Sequence, residues 1–264
     1  MNNNTFRLSI VSVSLLVFAF ALTLQVHAEI ELGSAMGIWL LNEGDGNTIN
    51  DSSGNENHGE LQGGKWVDGP NGPALSLNGI NDRVIIPDSD SLYAAEEWTI
   101  TAWVFVNNEE NGYGHIVGKR AAGGAVANYA FRTSPDGKQW DAYFSRGGWK
   151  GIWRQGAAKK NTWVYMTAIY DGIDTIKIYE NGEEIGSGGG LGGPAPRDTE
   201  QVNIGGWTNN TTETLNGMLY DVAVFNVAIS VDDIKDLMDN GIETLLSVEP
   251  SDKLATTWGS IKSR

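Results

Sequence analysis

Short apolar runs alternate along this chain with segments rich in Gly, Asn and Asp. Runs of this length, loaded with β-branched and aromatic side chains, predict strands. They fall at Gly37–Leu41, Ala74–Leu77, Arg83–Ile86, Trp98–Val106, Tyr129–Phe131, Trp140–Phe144, Trp163–Tyr170, Thr175–Tyr179, Gln201–Ile204 and Met218–Phe225. Trp98–Val106 has the composition of a central strand. Asp171-Gly172 and Asn181-Gly182 are hairpin turn signals on either side of Thr175–Tyr179. A single helix is expected: Ser230 caps it, Asp232 and Asp233 suit its first turn, and Ile234, Leu237 and Met238 form its apolar stripe. Asn240-Gly241 ends it. Residues 42–59, 107–124 and 186–196 read as loops. Strands without intervening helices, joined by Gly-rich turns, specify an all-β sandwich or barrel with one short C-terminal helix.

The N-terminus has another pattern. Arg7 precedes an almost unbroken apolar and Ser/Thr run, Leu8 to Leu24, and Val26-His27-Ala28 is a small-residue cleavage site. Residues 1–28 are therefore expected to be a secretory signal peptide, the alternative being a retained membrane anchor. Export places the chain outside the cell, secreted or at the cell surface. The folded domain is expected over 29–246, with 247–264 as a tail lacking apolar periodicity.

Charge and cysteine content narrow the partners. The chain carries 33 Asp and Glu against 18 Lys and Arg, for a net charge of −15, and has no Cys. Disulfides and thiolate metal sites are excluded. So strong an acidic balance disfavours nucleic acid and anionic membranes and suits divalent cations.

One acid stands out against the apolar pattern. In Gly217–Phe225, Asp221 is the lone carboxylate. By strict alternation Leu219, Ala223 and Phe225 share its face, while Tyr220, Val222 and Val224 line the other. Both faces look buried, and an ionised carboxylate there needs a cation or strong donors. Nearby loops rich in Asp and Asn make Ca²⁺ the leading explanation.

With the runs placed, the chain resembles the laminin G-like, concanavalin A-like jelly-roll family in its bacterial form, over about Met36 to Gly241. The resemblance rests on Trp39-Leu40-Leu41-Asn42-Glu43-Gly44 with the Asp51–Gly59 loop, on Ala74–Val84, and on the Trp98–Val106 strand. Trp163–Tyr170 with Ile178–Gly182, Ile204-Gly205-Gly206, and Leu215 through Ser230 complete it. It implies a two-sheet antiparallel jelly roll whose first and last strands lie side by side, and a structural Ca²⁺ at a sandwich edge. Asn42 and Val222 depart from the acids often found there. The candidate metal ligands are Glu43, Asp51, Asn55, Asn78, Asp82 and Asp221. Their bland alternative is loop chemistry, with Asp51, Asn55 and Asn78 making side-chain turns and Asp82 pairing with Arg83.

The fold hosts lectins, enzymes and adhesion modules, so function has to be read from sites. Retaining glycosidases need two carboxyl groups roughly 5 Å apart on one face. No predicted strand offers such a pair, and Asp141 stands alone in its run. His58 falls in a loop expected to be structural. His115, near Tyr113, reads as a surface residue that could touch a ligand. Trp39, Trp98, Trp103 and Trp163 sit in strand runs and are expected in the core. Trp140, Trp149, Trp153 and Trp207 lie in or beside Gly-rich polar segments. Arg146-Gly147-Gly148-Trp149-Lys150-Gly151-Ile152-Trp153-Arg154 sets two Trp among three cations in an acidic chain. Indole faces stack on sugar rings and cations hold hydroxyls, carboxylates or sulfates; the alternative is a hairpin whose indoles merely cover the sheet.

The sequence therefore suggests a non-catalytic binding module. Its expected partner is a glycan, or else a cell-surface or matrix protein. Candidate ligand-binding residues are Trp149, Trp153, Arg146, Trp207 and His115, and the candidate cofactor is Ca²⁺. A glycosidase of the same fold, or a structural or adhesion module of a surface assembly, are the alternatives. Asn209-Asn210-Thr211 has the form of a glycosylation sequon.

Overall fold

The structure is a computed structural model that describes residues 30–108, 112–121, 126–207 and 213–247. The leader expected at 1–28, the sequon and nearly all of the tail lie outside the described residues. Sixteen strands follow in chain order. They are β1 (Ala35–Trp39), β2 (Thr48–Ile49), β3 (Gly59–Gln62), β4 (Lys65–Gly69), β5 (Gly72–Asn78), β6 (Arg83–Ile86), β7 (Trp98–Val106) and β8 (His115–Arg120). After them come β9 (Ala127–Thr133), β10 (Trp140–Ser145), β11 (Trp149–Gln155), β12 (Trp163–Tyr170), β13 (Ile176–Glu180), β14 (Glu183–Gly188), β15 (Val202–Ile204) and β16 (Asn216–Phe225).

They form two antiparallel eight-stranded sheets, consistent with a jelly-roll sandwich. The first runs β14-β13-β12-β7-β16-β5-β4, with β1 also paired to β16; the second runs β11-β10-β9-β8-β15-β6-β3-β2. First and last strands do lie side by side, Ile38 opposite Ala223. Trp98–Val106 is central, flanked by β12 and β16. Asn181 and Gly182 both take positive φ and turn β13 into β14.

The interior between the sheets is one apolar cluster built by alternation. From β10 it takes Trp140, Ala142 and Phe144; from β9, Tyr129 and Phe131; from β7, Ile100, Ala102 and Val104. Trp39 and Trp98 belong to it as expected, and so does Trp140. Trp103 packs instead with a second cluster on the outward side of the first sheet, among Ile38, Tyr165 and Phe225. Trp163 is only half-buried, edge-on to Tyr220. The helix α1 (Val231–Asn240) covers part of this outer cluster through Ile234 and Leu237. Ser230 and Asp233 form a reciprocal capping box at its start, satisfying two otherwise orphaned N–H groups. A second helical turn, α2 (Glu243–Ser247), follows it and buries Leu245, where the sequence suggested a single helix and a tail from residue 247. Among the described residues no helix is long and apolar enough to cross a membrane.

Strict alternation fails in β16. Its pairing with β7 shifts register between Tyr220 and Ala223, and Asp221 takes φ of 50°. That extra residue is a β-bulge. Leu219, Val222 and Val224 face the interior, while Ala223 and Phe225 join the outer cluster. Asp221 lies on the outward side with Ala223 and Phe225, lining a cavity with Leu40, Trp103 and Met238 of the outer cluster, so the expected sharing of a face fails for Leu219 alone. Asp221 sits where the partner of β16 changes from β5 to β1, its N–H donating to the Leu40 carbonyl.

Candidate functional site

A group of polar and aromatic side chains gathers on the outward face of the second sheet. β10 turns Trp140, Ala142 and Phe144 inward, so its period of two puts Asp141 and Tyr143 outside. In β9 the same alternation sends Phe131 in and Arg132 out; in β8, Lys119 is buried against Asp88 and Asp198 while Arg120 faces outward. β11 supplies Trp149 and Trp153 on the same side, 42% and 41% exposed. With Tyr113, Pro135, Arg154 and Glu213 these residues line a cavity of about 460 Å³.

The aromatic part depends on one glycine. Tyr143 pairs across the hairpin with Gly151. A Cβ at Gly151 would lie 2.4 Å from Tyr143 Cβ and 2.5 Å from the Ala142 carbonyl oxygen. Its absence lets the Tyr143 ring settle between the two indoles. Trp153 stacks on it at 5.2 Å between centroids, and Trp149 meets it edge-on at 5.3 Å. Tyr143 is buried, but both indoles keep a face open.

The polar part is organised by Glu213. Its Oε2 lies 3.1 Å from His115 Nε2, 2.9 Å from Arg120 Nη1 and 3.5 Å from Arg132 Nη1. Burial alone would raise this carboxyl; the His115 bond and the two guanidinium charges outweigh it and hold it at about 2. His115 is pushed down to about 4, chiefly by burial and then by the neighbouring arginines, against the pull of Glu213. At neutral pH the imidazole is uncharged and donates its Nε2–H to an ionised Glu213. Arg120 Nη1 also donates to the Tyr143 hydroxyl at 3.1 Å. The guanidinium carbon of Arg120 lies 3.7 Å from the centre of the Trp207 ring, and that of Arg132 lies 3.7 Å from the centre of Tyr113. Asp141 accepts from the Arg154 N–H at 2.8 Å, and burial raises its carboxyl despite that bond and the Arg132 charge.

Of the five candidate ligand residues, Trp149, Trp153, Trp207 and His115 therefore gather about one centre. His115 is not on the surface: it is a buried prop beneath the cavity, 1% exposed. Trp207 is buried too, serving as a stacking plate for Arg120. Arg146 is not part of the group. Its guanidinium lies against Gly192 and Gly193, after β14. Asp141 is the lone acid of β10, as expected, but it shares its cavity with Arg132 and Glu213. Arg120, Arg132, Tyr143 and Glu213 carried no motif. The signal available was alternation: Arg132 and Asp141 interrupt apolar runs at positions that a half-exposed strand turns outward.

The six candidate metal ligands do not converge. Asp51 spends both oxygens on its own loop and on β1: Oδ1 accepts from the Ile38 and Ser53 N–H groups, Oδ2 from the Asn57 N–H and the Ser53 hydroxyl. Asn55 donates to the Ala35 carbonyl, and Glu43 accepts from the Asn50 N–H. Asn78 Oδ1 caps the turn through Ile80 and Asn81, while Asp82 accepts from the Asn78 N–H. Arg83 donates to Gln62 rather than pairing with Asp82. Asp51 and Asn78 thus make the side-chain turns of the bland alternative, whereas Asn55 reaches across to β1 and the Asp82–Arg83 pair does not form. Asp221 is the member of the set that faces a cavity, one it shares with Asn42, Asp239 and Glu243. Burial and the Glu243 charge push its carboxyl up to about 7. Among the described residues no group of three or more His, Cys, Asp or Glu is placed to hold a metal ion.

Comparison with known proteins bears on the fold. The family model described as the Concanavalin A-like lectin/glucanases superfamily matches residues 78–235. No curated protein matches the sequence. The binding domain of Paraclostridial Mosquitocidal Protein 1 superposes with a TM-score of 0.62 at 16% identity, over 79% of this chain and 52% of that one. Domain 4 of AbnA, a GH43 extracellular arabinanase from Geobacillus stearothermophilus solved with arabinotriose, gives 0.60 at 18% identity, over 77% and 98%. Trypanosoma rangeli sialidase gives 0.58 at 14% identity, over 76% of this chain and 32% of its own. Identities this low show a shared fold. The chain spans about half of the toxin chain and a third of the sialidase.

Proposed function

The chain belongs to the concanavalin A-like lectin/glucanase superfamily, and from that premise we propose that it is an extracellular, non-catalytic module that binds a glycan on the outward face of its second sheet. The observation that carries this reading is the Trp149–Tyr143–Trp153 cluster. Two indoles left more than a third exposed are costly on a surface with no partner. Here they flank a buried ring at the mouth of a cavity lined by guanidinium groups. Flat apolar faces beside fixed donors are what a sugar ring requires, since it offers C–H faces and hydroxyl edges. Structural neighbours of this fold include a domain solved with arabinotriose and a toxin binding domain, which is compatible with binding and assigns no ligand here.

The test is a polysaccharide and glycan-array screen of the wild type with Trp149→Ala and Trp153→Ala. Both variants should lose glycan binding and keep the wild-type circular dichroism spectrum. Binding unaffected by either substitution would remove the platform from the site.

One observation favours a second reading, a glycosidase. Asp141 and Glu213 line the same cavity with their carboxyl groups pushed in opposite directions, as an acid and its partner would be. Against it, Glu213 Oε2 already faces three donors and Asp141 is 2% exposed. Asp141→Asn should leave glycan binding intact; release of reducing ends by the wild type, lost in this variant, would make the enzyme reading the correct one.

A further inference from the structure

The cavity is electrostatically unlike the rest of the chain. The whole sequence has nearly two acids for each Lys or Arg, yet three arginines line this cavity against two acids, Asp141 and Glu213. Two of the three are sunk in the floor: the Arg120 and Arg132 side chains are 11% and 9% exposed. Desolvating a guanidinium is expensive unless charge or ring faces compensate. Both kinds of support are present. Trp207 and Tyr113 lie 3.7 Å from Arg120 and Arg132, respectively, and Glu213 reaches both.

The support is incomplete in a way that points to a ligand. One Glu213 oxygen serves two arginines and His115. The second acid, Asp141, stands 3.7 Å from Arg132 Nε, and its Oδ1 is taken by the Arg154 N–H. Nε of Arg120 and Nε of Arg132 have no hydrogen-bond acceptor among the described residues. Both atoms are buried, so they measure a shortage of acceptors in the floor; each guanidinium carries five N–H donors and no acceptor, and three arginines against two acids leave positive charge to spare. The surplus lies beside the sugar platform, with the Arg120 guanidinium carbon 5.0 Å from the Trp149 ring centre and that of Arg132 4.7 Å from Tyr143. A neutral sugar hydroxyl both donates and accepts and is served best by a mixed wall. A carboxylate or sulfate only accepts, and planar guanidinium forks match it.

Resting on the glycan-binding reading, we propose that the ligand is an acidic glycan, its ring against Trp149 and Trp153 and its carboxylate or sulfate turned toward Arg120, Arg132 and Arg154. Bulk charge cannot imitate this preference, because the chain is strongly acidic and repels polyanions elsewhere.

The experiment is a printed array carrying uronate-, sialate- and sulfate-bearing oligosaccharides beside their neutral counterparts, followed by titration of the strongest pair. Acidic members should bind at least roughly tenfold tighter than their neutral counterparts, with affinity falling as NaCl rises. Which acidic class binds assigns carboxylate or sulfate. Arg154→Gln, at an exposed position, should weaken acidic binding severalfold and leave the melting temperature unchanged; Arg120→Lys should weaken it further while keeping Glu213 paired. Equal binding of acidic and neutral members would overturn this inference and leave the glycan reading standing. Folded protein that binds no member would overturn both.

Discussion

Replacing Asp221 by Asn should stabilise this protein at alkaline pH in the absence of divalent cations. The carboxyl sits at the bulge of β16 with burial and the Glu243 charge both acting against ionisation, lifting it from an ordinary 3.8 to about 7. The native state therefore holds this proton up to about pH 7, whereas the unfolded chain releases it near pH 4. Between those values stability falls as pH rises, and above them the penalty is constant. Three pH units correspond to about 4 kcal/mol, a ceiling that solvent screening at a partly exposed group cuts to about 1–2 kcal/mol. Asn removes the charge and tolerates the positive φ of this position, because its side chain is among those that enter the left-handed region readily. For a domain of this size the gain is a rise in melting temperature of roughly 2–8 °C. Calorimetric melts in EDTA from pH 4 to pH 8.5 should show the two proteins converging at the acid end, drawing apart between about pH 4 and pH 7, and holding a constant gap above that. A variant no more stable than wild type at pH 8, or a gap that ignores pH, would refute the reasoning. The same melts with Ca²⁺ test the cation expectation. An ion held by Asp221 would stabilise the wild type by about 2.7 kcal/mol at a hundredfold excess over Kd and leave the Asn variant unmoved.

Other substitutions probe the rest of the molecule. Gly151→Ala should cost about 1–3 kcal/mol by overpacking and abolish glycan binding, because the new Cβ collides with Tyr143 and the Ala142 carbonyl; thermal melts and array binding read both effects. Acid should destabilise the Asp221→Asn protein. His115 is held neutral down to about 4, so stability is lost as pH falls from about 6.5 to 4 while the unfolded chain takes up a proton that the native imidazole refuses. Glu213, at about 2, extends that loss below pH 4.5, and denaturant titrations across this range check both. Trp140→Ala should cost about 3–5 kcal/mol, since its ring is wholly buried against Phe131. Trp149→Ala should cost far less, and urea midpoints compare the two.

Much of the sandwich was legible because interior strands obey a period of two. Trp98–Val106, Trp163–Tyr170 and Arg83–Ile86 have the expected bounds, and the Ser230 cap and Gly241 stop fall where their chemistry requires. The misses have physical causes. His115–Arg120 forms β8 although two basic residues and Gly118 break its apolar run; Lys119 is buried only because Asp88 and Asp198 meet it. β11 and β14 are edge strands of their sheets, with too little burial to mark them by hydrophobicity. The bulge at Asp221 defeats alternation by one residue and exchanges faces downstream. At the candidate site the indoles were visible from composition and neighbours. Glu213, which organises the floor, was not, because its partners lie far away in sequence and meet only when the sheet assembles.

The pairing of β1 with β16 also decides how this module can be presented. Ile30 is tied to Asp233 at the start of α1, and Ile30 and Leu245 share the cluster on the outward side of the first sheet. The cavity opens from the outward side of the second. Both ends of the described domain thus lie on the side of the sandwich away from the cavity. Under the proposed function, a linker, a neighbouring domain or an anchor joined on that side would leave the cavity face unobstructed, with the thickness of the sandwich between carrier and ligand.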